Sequence, residues 1–229
     1  MSSALEGVEA ARARLRSLGP APLQPLPADY RAGRIELHRI AEDVLKPKRV
    51  LETGNEIALE CTPGGFGTPA WKSGLSSGRP GSARVVDTDV VIVDGDREER
   101  TPIEVDAGVA AAVADWLALG TMALAALVDS HPELDPEPIR LWPEHFDVAT
   151  VLGSESDGTR ANYGASPGDD DHLEPYLYVG PWQEQPQGEI WNATSFHGAE
   201  LGHADLFKAP DQVERASAFF LQHLQALSG

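Results

Sequence analysis

The sequence is poor in cysteine, with Cys61 standing alone among 229 residues. One cysteine cannot form an intramolecular disulfide, and it cannot supply the several thiolates of a cysteine-based zinc cluster. The N-terminal stretch also lacks the apolar segment that a secretory signal requires. Together these absences predict a protein of the reducing cytoplasm.

Basic residues are scarce as well. The chain has 18 Lys and Arg against 36 Asp and Glu, which gives a formal net charge of −18. A field of this sign repels phosphate backbones and anionic lipid headgroups. The sequence therefore predicts an acidic protein whose partners are neither nucleic acid nor membranes. A small-molecule partner stays open, and the oligomeric state is not determined.

Long apolar runs are limited to one stretch, residues 107–128, and Asp115 interrupts it. No Lys or Arg flanks this stretch closely, whereas Asp106 and Asp129 border it. Its alanine content and central carboxylate favour a buried or half-buried helix of a soluble protein over a membrane span. Asp106 is of the residue type that caps a helix N-terminus.

The hydrophobic pattern predicts a single α+β domain over residues 1–229. Its strands are joined by hairpin turns rather than by helical crossovers, which indicates a mainly antiparallel sheet. Five parts follow along the chain: a helical N-terminal segment (1–48), a first β block (49–105), a long Ala-rich central helix (106–128), a second β block (139–195) and a C-terminal helix (210–227).

Within these parts, the local patterns predict individual elements. A capping box from Ser3 to Glu6 starts the first helix, and a second helix runs from Asp29 to the Lys46-Pro47 pair. Strands are expected at 50–53, 56–61, 83–93, 101–105, 139–142, 145–152, 159–163, 176–179 and 189–193. Asp94-Gly95 predicts a hairpin turn, with the charged residues 96–100 at its tip and 101–105 as the returning strand. Residues 62–82 are rich in Gly, Pro and Ser and are expected to form a long loop.

Four stretches carry a resemblance: 62–69 (TPGGFGTP), 141–147 (LWPEHFD), 162–169 (NYGASPGD) and 174–182 (EPYLYVGPW). Together they resemble an uncharacterised bacterial protein family of unknown function. The resemblance extends from the second predicted helix to the C-terminal helix. It implies no activity and assigns a role to no residue.

Aromatic residues concentrate in the second β block, although they make up only 7% of the chain. Rings beside Gly-Pro turns can line a pocket for a small apolar or sugar-like ligand, or they can fill the core of a small sheet. The candidate ligand-binding residues are Trp142, Tyr163, Tyr176, Tyr178, Trp191 and Asn162.

Ionisable residues in the same block suggest a second kind of site. His145 and Asp147 are two apart, so on a strand they share a face, as a metal-binding or acid/base pair requires. A nearby aspartate run could add oxygen ligands for a divalent metal, the one cofactor that the sequence suggests. The candidate metal ligands are His145, Asp147, Asp169, Asp171 and His197. The spacing matches no established metal motif, and ordinary turn hydrogen bonds would explain the same residues.

Three classes of function therefore remain. The first, which we favour, is a small-molecule-binding protein with an aromatic-lined pocket in the second β block. The second is a metal-assisted enzyme that uses the His/Asp cluster, and the third is an interaction or structural subunit. The sequence does not determine whether the protein is an enzyme.

Overall fold

The computed structural model describes residues 17–56, 58–183 and 188–229. The predicted capping box and most of the first predicted helix lie outside these ranges. The described chain contains two five-stranded antiparallel sheets, N-terminal helices, a long central helix and a C-terminal helix. The α+β prediction is thereby confirmed.

The N-terminal helical region is longer than predicted. Helix α1 (Tyr30–Ile40) continues through a π-helical segment (Ala41–Leu45) into α2 (Lys46–Thr53), and Gly54 ends it with a φ of 67°. The predicted stop at Lys46-Pro47 and the predicted strand at 50–53 are therefore wrong. Pro47 stands in the first turn of α2, directly after the widened π turn, where its missing N–H is easier to accommodate.

The first sheet follows the order β1-β2-β3-β4-β5. Its strands are β1 (Glu60–Thr62), β2 (Gly65–Gly67), β3 (Gly81–Val86), β4 (Asp89–Asp94) and β5 (Arg97–Pro102). The predicted single strand at 83–93 is wrong, because the chain turns at Asp87 with a φ of 53° and pairs back as β4. The predicted Asp94-Gly95 turn is present between β4 and β5. The return strand predicted at 101–105 is wrong, because β5 begins at Arg97 and contains most of the residues expected at the charged tip.

The central helix α3 (Ala107–Ser130) begins as predicted. The Asp106 carboxylate caps it by accepting from the backbone N–H of Gly108 at 2.8 Å and of Val109 at 3.2 Å. By length and composition this helix could cross a membrane, but 67% of its most apolar window is buried inside the protein. It packs against the second sheet and the C-terminal helix as the centre of the core.

The second sheet follows the order β10-β9-β8-β7-β6. Its strands are β6 (Arg140–Trp142), β7 (Asp147–Leu152), β8 (Ala161–Ser166), β9 (Tyr176–Pro181) and β10 (Ala199–Gly202), followed by the short α4 (His203–Leu206) and by α5 (Gln212–Ser228). The predicted strand at 189–193 is wrong, since β10 takes the place beside β9. An antiparallel bridge between Leu59 and Leu141 joins the two sheets.

The two faces of the second sheet differ, because successive side chains on a strand point to opposite sides. The inner face carries Val148, Tyr163 and Leu177, all buried. A Cβ added to Gly120 of α3 would lie 2.3 Å from Ala165, so this face packs tightly on the central helix. The outer face carries polar and aromatic side chains, and the candidate site lies there.

Candidate functional site

A cavity of about 560 Å³ lies over the outer face of the second sheet. Strands β7, β8 and β9 form its floor, and helix α1 with the 143–147 turn forms one wall. The 168–172 loop and residues 195–196 form the rest. This volume falls in the range of small-molecule sites, about 300–1,000 Å³.

Asp147 is the first residue of β7 and lies at the floor of the cavity, only 5% exposed. The Tyr178 hydroxyl donates to its Oδ2, whereas its Oδ1 is buried and has no hydrogen-bond partner in the described part of the chain. Burial raises the pKa of the Asp147 carboxyl above its ordinary value, against the lowering effects of the Tyr178 hydrogen bond and of nearby His145. A buried acid with one unpaired oxygen thus faces the cavity.

The turn before Asp147 is fixed by packing between the two sheets. Phe146 has a φ of 52° and is fully buried, and its backbone N–H donates to the Trp142 carbonyl at 2.7 Å. Its ring stacks on His38 of α1 with centroids 5.2 Å apart and meets Phe66 of β2 edge-on at 5.0 Å. Asp147 is therefore held by a turn whose ring is anchored in the core.

Aromatic side chains form one side of the cavity. Tyr176 and Tyr178 alternate on β9 and face the same way, with ring centroids 6.0 Å apart, and Phe196 lies 6.3 Å from Tyr178. Burial raises the pKa of both tyrosines, and hydrogen bonds to Asp169 and Asp147 raise it further. Both phenols are thus neutral donors next to carboxylates.

Asp169 organises the 168–172 loop. Its Oδ1 accepts from the backbone N–H groups of Asp171 at 2.8 Å and His172 at 2.7 Å, and its Oδ2 accepts from the Tyr176 hydroxyl at 2.6 Å. Burial alone would raise the pKa of Asp169, but these bonds and His172 outweigh it and hold the pKa below its ordinary value. The carboxylate is thus engaged within its own loop.

The His172 ring lies between two carboxylates. Its Nδ1 is 3.2 Å from Asp169 Oδ1 and its Nε2 is 2.9 Å from Glu200 Oε2, while the Ser195 hydroxyl lies 3.3 Å from Nε2. Ser195, His172 and Asp169 thus have the order of a nucleophile, a base and an orienting acid. The nearer Glu200 favours Nε2 as a donor. Nε2 is therefore engaged with Glu200 and is not free to accept the Ser195 proton.

Arg34 of α1 is a cavity residue that sequence reasoning missed. It is only 3% exposed, and its Nη2 donates to the Asp169 carbonyl at 3.0 Å. Its Nε is buried without a partner, and no carboxylate lies within ion-pair distance of its guanidinium among the described residues. An arginine on an amphipathic helix ordinarily indicates a solvent-exposed position, so no sequence signal identified it.

The structure divides the predicted ligand-binding residues. Asn162, Tyr176 and Tyr178 line the cavity. Trp142 lines a smaller adjoining hollow of about 270 Å³ that shares Asn162 and Tyr178 with it. The remaining two lie elsewhere: Tyr163 is on the inner face, 6.2 Å from the ring of Phe220, and Trp191 packs on His223 of α5 at 4.9 Å.

The predicted metal ligands divide as well. His145, Asp147, Asp169 and Asp171 all line the cavity, whereas His197 is exposed and does not. Within residues 17–56, 58–183 and 188–229, no three His, Cys, Asp or Glu side chains are grouped so that they could hold a metal ion. Metal binding stays a prediction of the sequence for which this arrangement offers no ligand set.

We compared the chain with protein-family models, with curated proteins and with solved structures, and none of the three comparisons found a match. The resemblance carried by the four sequence stretches therefore stays an interpretation, and the site has to be understood from its own chemistry.

Proposed function

We propose that the protein binds a small organic molecule in the cavity over the second sheet, with Asp147 as its anchor. The unpaired Oδ1 of Asp147 is the observation that carries this proposal. A buried acceptor without a partner costs about 1–3 kcal/mol, and more when it is charged. A ligand that donates to Oδ1 recovers that cost on binding.

The aromatic wall supports the same function. The rings of Tyr176, Tyr178 and Phe196 supply apolar lining for a ligand body, while Asn162 and the carboxylates provide polar groups. Small-molecule sites combine apolar lining with a few polar groups that fix the ligand's orientation. The metal-assisted alternative would need a ligand set that the described residues do not form.

A ligand-observed NMR screen of the wild-type protein against a library of small polar fragments tests the proposal. Hits should be lost or weakened by about tenfold or more in Asp147→Asn, since a hydrogen bond to a charged group contributes about 1.5–3 kcal/mol. Asp96→Asn, in the exposed turn between β4 and β5, removes the same charge far from the second sheet and should keep every hit.

Two results would contradict the proposal. One is a screen without hits on folded wild-type protein. The other is a set of hits that Asp147→Asn binds as tightly as the wild type does. Thermal melting of each variant separates lost binding from lost folding.

A further inference from the structure

We infer that the ligand of this cavity is zwitterionic, with a cationic nitrogen that meets Asp147 and an anionic oxygen that meets Arg34. This inference rests on the proposed function and names the class of ligand. It follows from a buried acid and a buried guanidinium that line one cavity and that have no ion-pair partner among the described residues.

Burial disfavours the ionised form of Asp147, and a ligand donor with positive charge is the partner that stabilises that form. No Lys, Arg or His nitrogen of the described chain lies within ion-pair distance of the Asp147 carboxylate. Its Oδ2 already accepts from Tyr178, so the free acceptor is Oδ1. A protonated amine or a guanidinium on the ligand satisfies both the hydrogen bond and the charge, which a neutral donor does not.

The Arg34 guanidinium requires an acceptor with negative charge. Its one hydrogen bond among the described residues goes to a neutral carbonyl, that of Asp169. A buried guanidinium is normally paired with a carboxylate or a phosphate, because an uncompensated buried charge is costly. A carboxylate on the ligand would supply that partner.

Most other charges around the cavity are already engaged. Glu144 accepts from Lys46 at 2.9 Å, Asp169 is held by its own loop, and His172 lies between Asp169 and Glu200. His38 contacts the Pro143 carbonyl through Nε2 at 2.9 Å. Exposed His145, Asp170 and Asp171 remain at the rim, where solvent weakens their effect. Among the described residues that line the cavity, the buried ionisable groups without an ion-pair partner are thus Asp147 and Arg34.

The aromatic wall indicates what the two charges are attached to. Tyr176, Tyr178 and Phe196 can pack against an apolar body and can also stabilise a cation at a ring face. An amino acid has an ammonium group, a carboxylate and a side chain within a volume that fits about 560 Å³. Amino acids and their close relatives are therefore the ligand class that matches this cavity.

Compounds that share one body and differ only in charge test the inference. The first trio is phenylalanine, phenethylamine and 3-phenylpropionate, and the second is leucine, 3-methylbutylamine and 4-methylpentanoate. Affinities for the wild-type protein are measured by NMR titration. At least one amino acid should bind about tenfold or more tightly than both of its singly charged relatives, since each lost charge-assisted hydrogen bond costs at least that much.

Variants of Arg34 and Asp147 then show which protein group binds each charged group of the ligand. Arg34→Gln should remove the advantage of the amino acid over the amine, and Asp147→Asn should remove its advantage over the carboxylic acid. Arg97→Gln on β5 and Asp96→Asn remove the same charges in the first sheet and should leave both advantages intact. If Arg34→Gln does not fold, the ranking within each trio on wild-type protein still decides.

The outcomes separate this inference from the proposed function. If an amine binds as tightly as its amino acid and depends on Asp147, the ligand is a simple cation and the zwitterion is overturned, while the proposed function stands. If a carboxylic acid binds as tightly as its amino acid, the zwitterion is overturned as well. If neither trio binds but the fragment screen gives hits that depend on Asp147, only this inference falls. If the screen also gives none, both fall.

Discussion

The ring of Tyr178 lies directly over Gly164. The two residues are paired across β8 and β9, and a Cβ added to Gly164 would lie 2.4 Å from Cζ of the ring. Without a side chain beneath it, the ring can lie across the sheet and bring its hydroxyl to Asp147. The glycine thus determines the position of Tyr178, the side-chain donor to Asp147 among the described residues.

Replacing Gly164 with alanine should therefore displace the Tyr178 ring. We expect a loss of about 1–3 kcal/mol in the free energy of unfolding, the usual cost of overpacking a close contact, together with weakened ligand binding. Gly180→Ala is the matched control for stability alone, because Gly180 lines the cavity on the same face of β9 and a Cβ there meets nothing within 4 Å. Chemical denaturation of both variants measures the difference, and equal stabilities would contradict the proposed contact.

Two tyrosines of the second sheet should respond oppositely to loss of the hydroxyl. Tyr178→Phe removes the donor to buried Asp147, so we expect a loss of about 1–3 kcal/mol of stability. The Tyr163 hydroxyl is buried without a partner in the described chain, so Tyr163→Phe should leave stability unchanged or raise it by up to about 1 kcal/mol. Ligand binding should change only in Tyr178→Phe. An equal loss of stability in both variants would contradict the placement of Tyr178 on the outer face and Tyr163 on the inner face of the second sheet.

The pH dependence of stability should differ between the wild type and Asp147→Asn. The pKa of Asp147 is raised by burial, so the folded protein holds this proton more tightly than the unfolded chain does. The wild type should therefore lose stability relative to Asp147→Asn as the pH rises from the ordinary carboxyl range through the raised pKa. The expected difference is about 1.4 kcal/mol for each unit of pKa shift.

Melting curves of the ligand-free proteins from about pH 4 to about pH 8 measure this difference, because the linkage acts only where the two states bind protons unequally. A difference that does not vary with pH would contradict the raised pKa. If the wild type gains stability relative to Asp147→Asn as the pH rises, the pKa of Asp147 is lowered in the folded protein and the prediction is contradicted.

The fold class could be predicted because its signals are local. Gly95 forms a turn with its immediate neighbours, and Asp106 caps the helix by bonding to residues two and three positions along the chain. The end of the second predicted helix could not be predicted, because the π turn before Pro47 relaxes the usual rule that a proline stops a helix. The strand expected around Trp191 failed for a tertiary reason, since that ring packs on α5 and β10 pairs with β9 instead.

The candidate site could be predicted only in part. Alternation along β9 places Tyr176 and Tyr178 on one face, but it does not show which face of β8 is buried, and the candidate Tyr163 lies on the inner face away from the cavity. Arg34 depends on a contact with Asp169, 135 positions away. A single sequence contains no local sign of such a contact.

The buried carboxylate of Glu52 offers a test outside the site. Its Oε1 accepts from Lys48 at 2.9 Å, and its Oε2 accepts from the backbone N–H and the hydroxyl of Ser77, both at 3.1 Å. The Lys48 hydrogen bond is the main effect that keeps the pKa of Glu52 below its ordinary value, against the raising effect of burial. The carboxylate therefore fastens the loop between β2 and β3 to helix α2.

Glu52→Gln replaces one of these acceptor oxygens with an amide nitrogen, which cannot accept. We expect a lower melting temperature and several-fold faster tryptic cleavage after Lys72 in the released loop, because cleavage follows local opening. Glu99→Gln on exposed β5 removes the same charge without a buried partner and should be cleaved at the wild-type rate. Equal rates for the two variants would show that Glu52 does not hold the loop.

The π-helical turn at Ala41–Leu45 joins α1 and α2 into one continuous helical region, so it sets the rotation of α2 relative to α1 about the helix axis. The front half of this region is attached through Arg34 to Asp169 in the 168–172 loop, and its rear half through Glu52 to Ser77 in the loop between β2 and β3. Deleting one residue between them would rotate the rear half by about 100° relative to the front half. Only one of the two attachments could then survive, so changes of length in this region are restricted even though it lies outside both sheets.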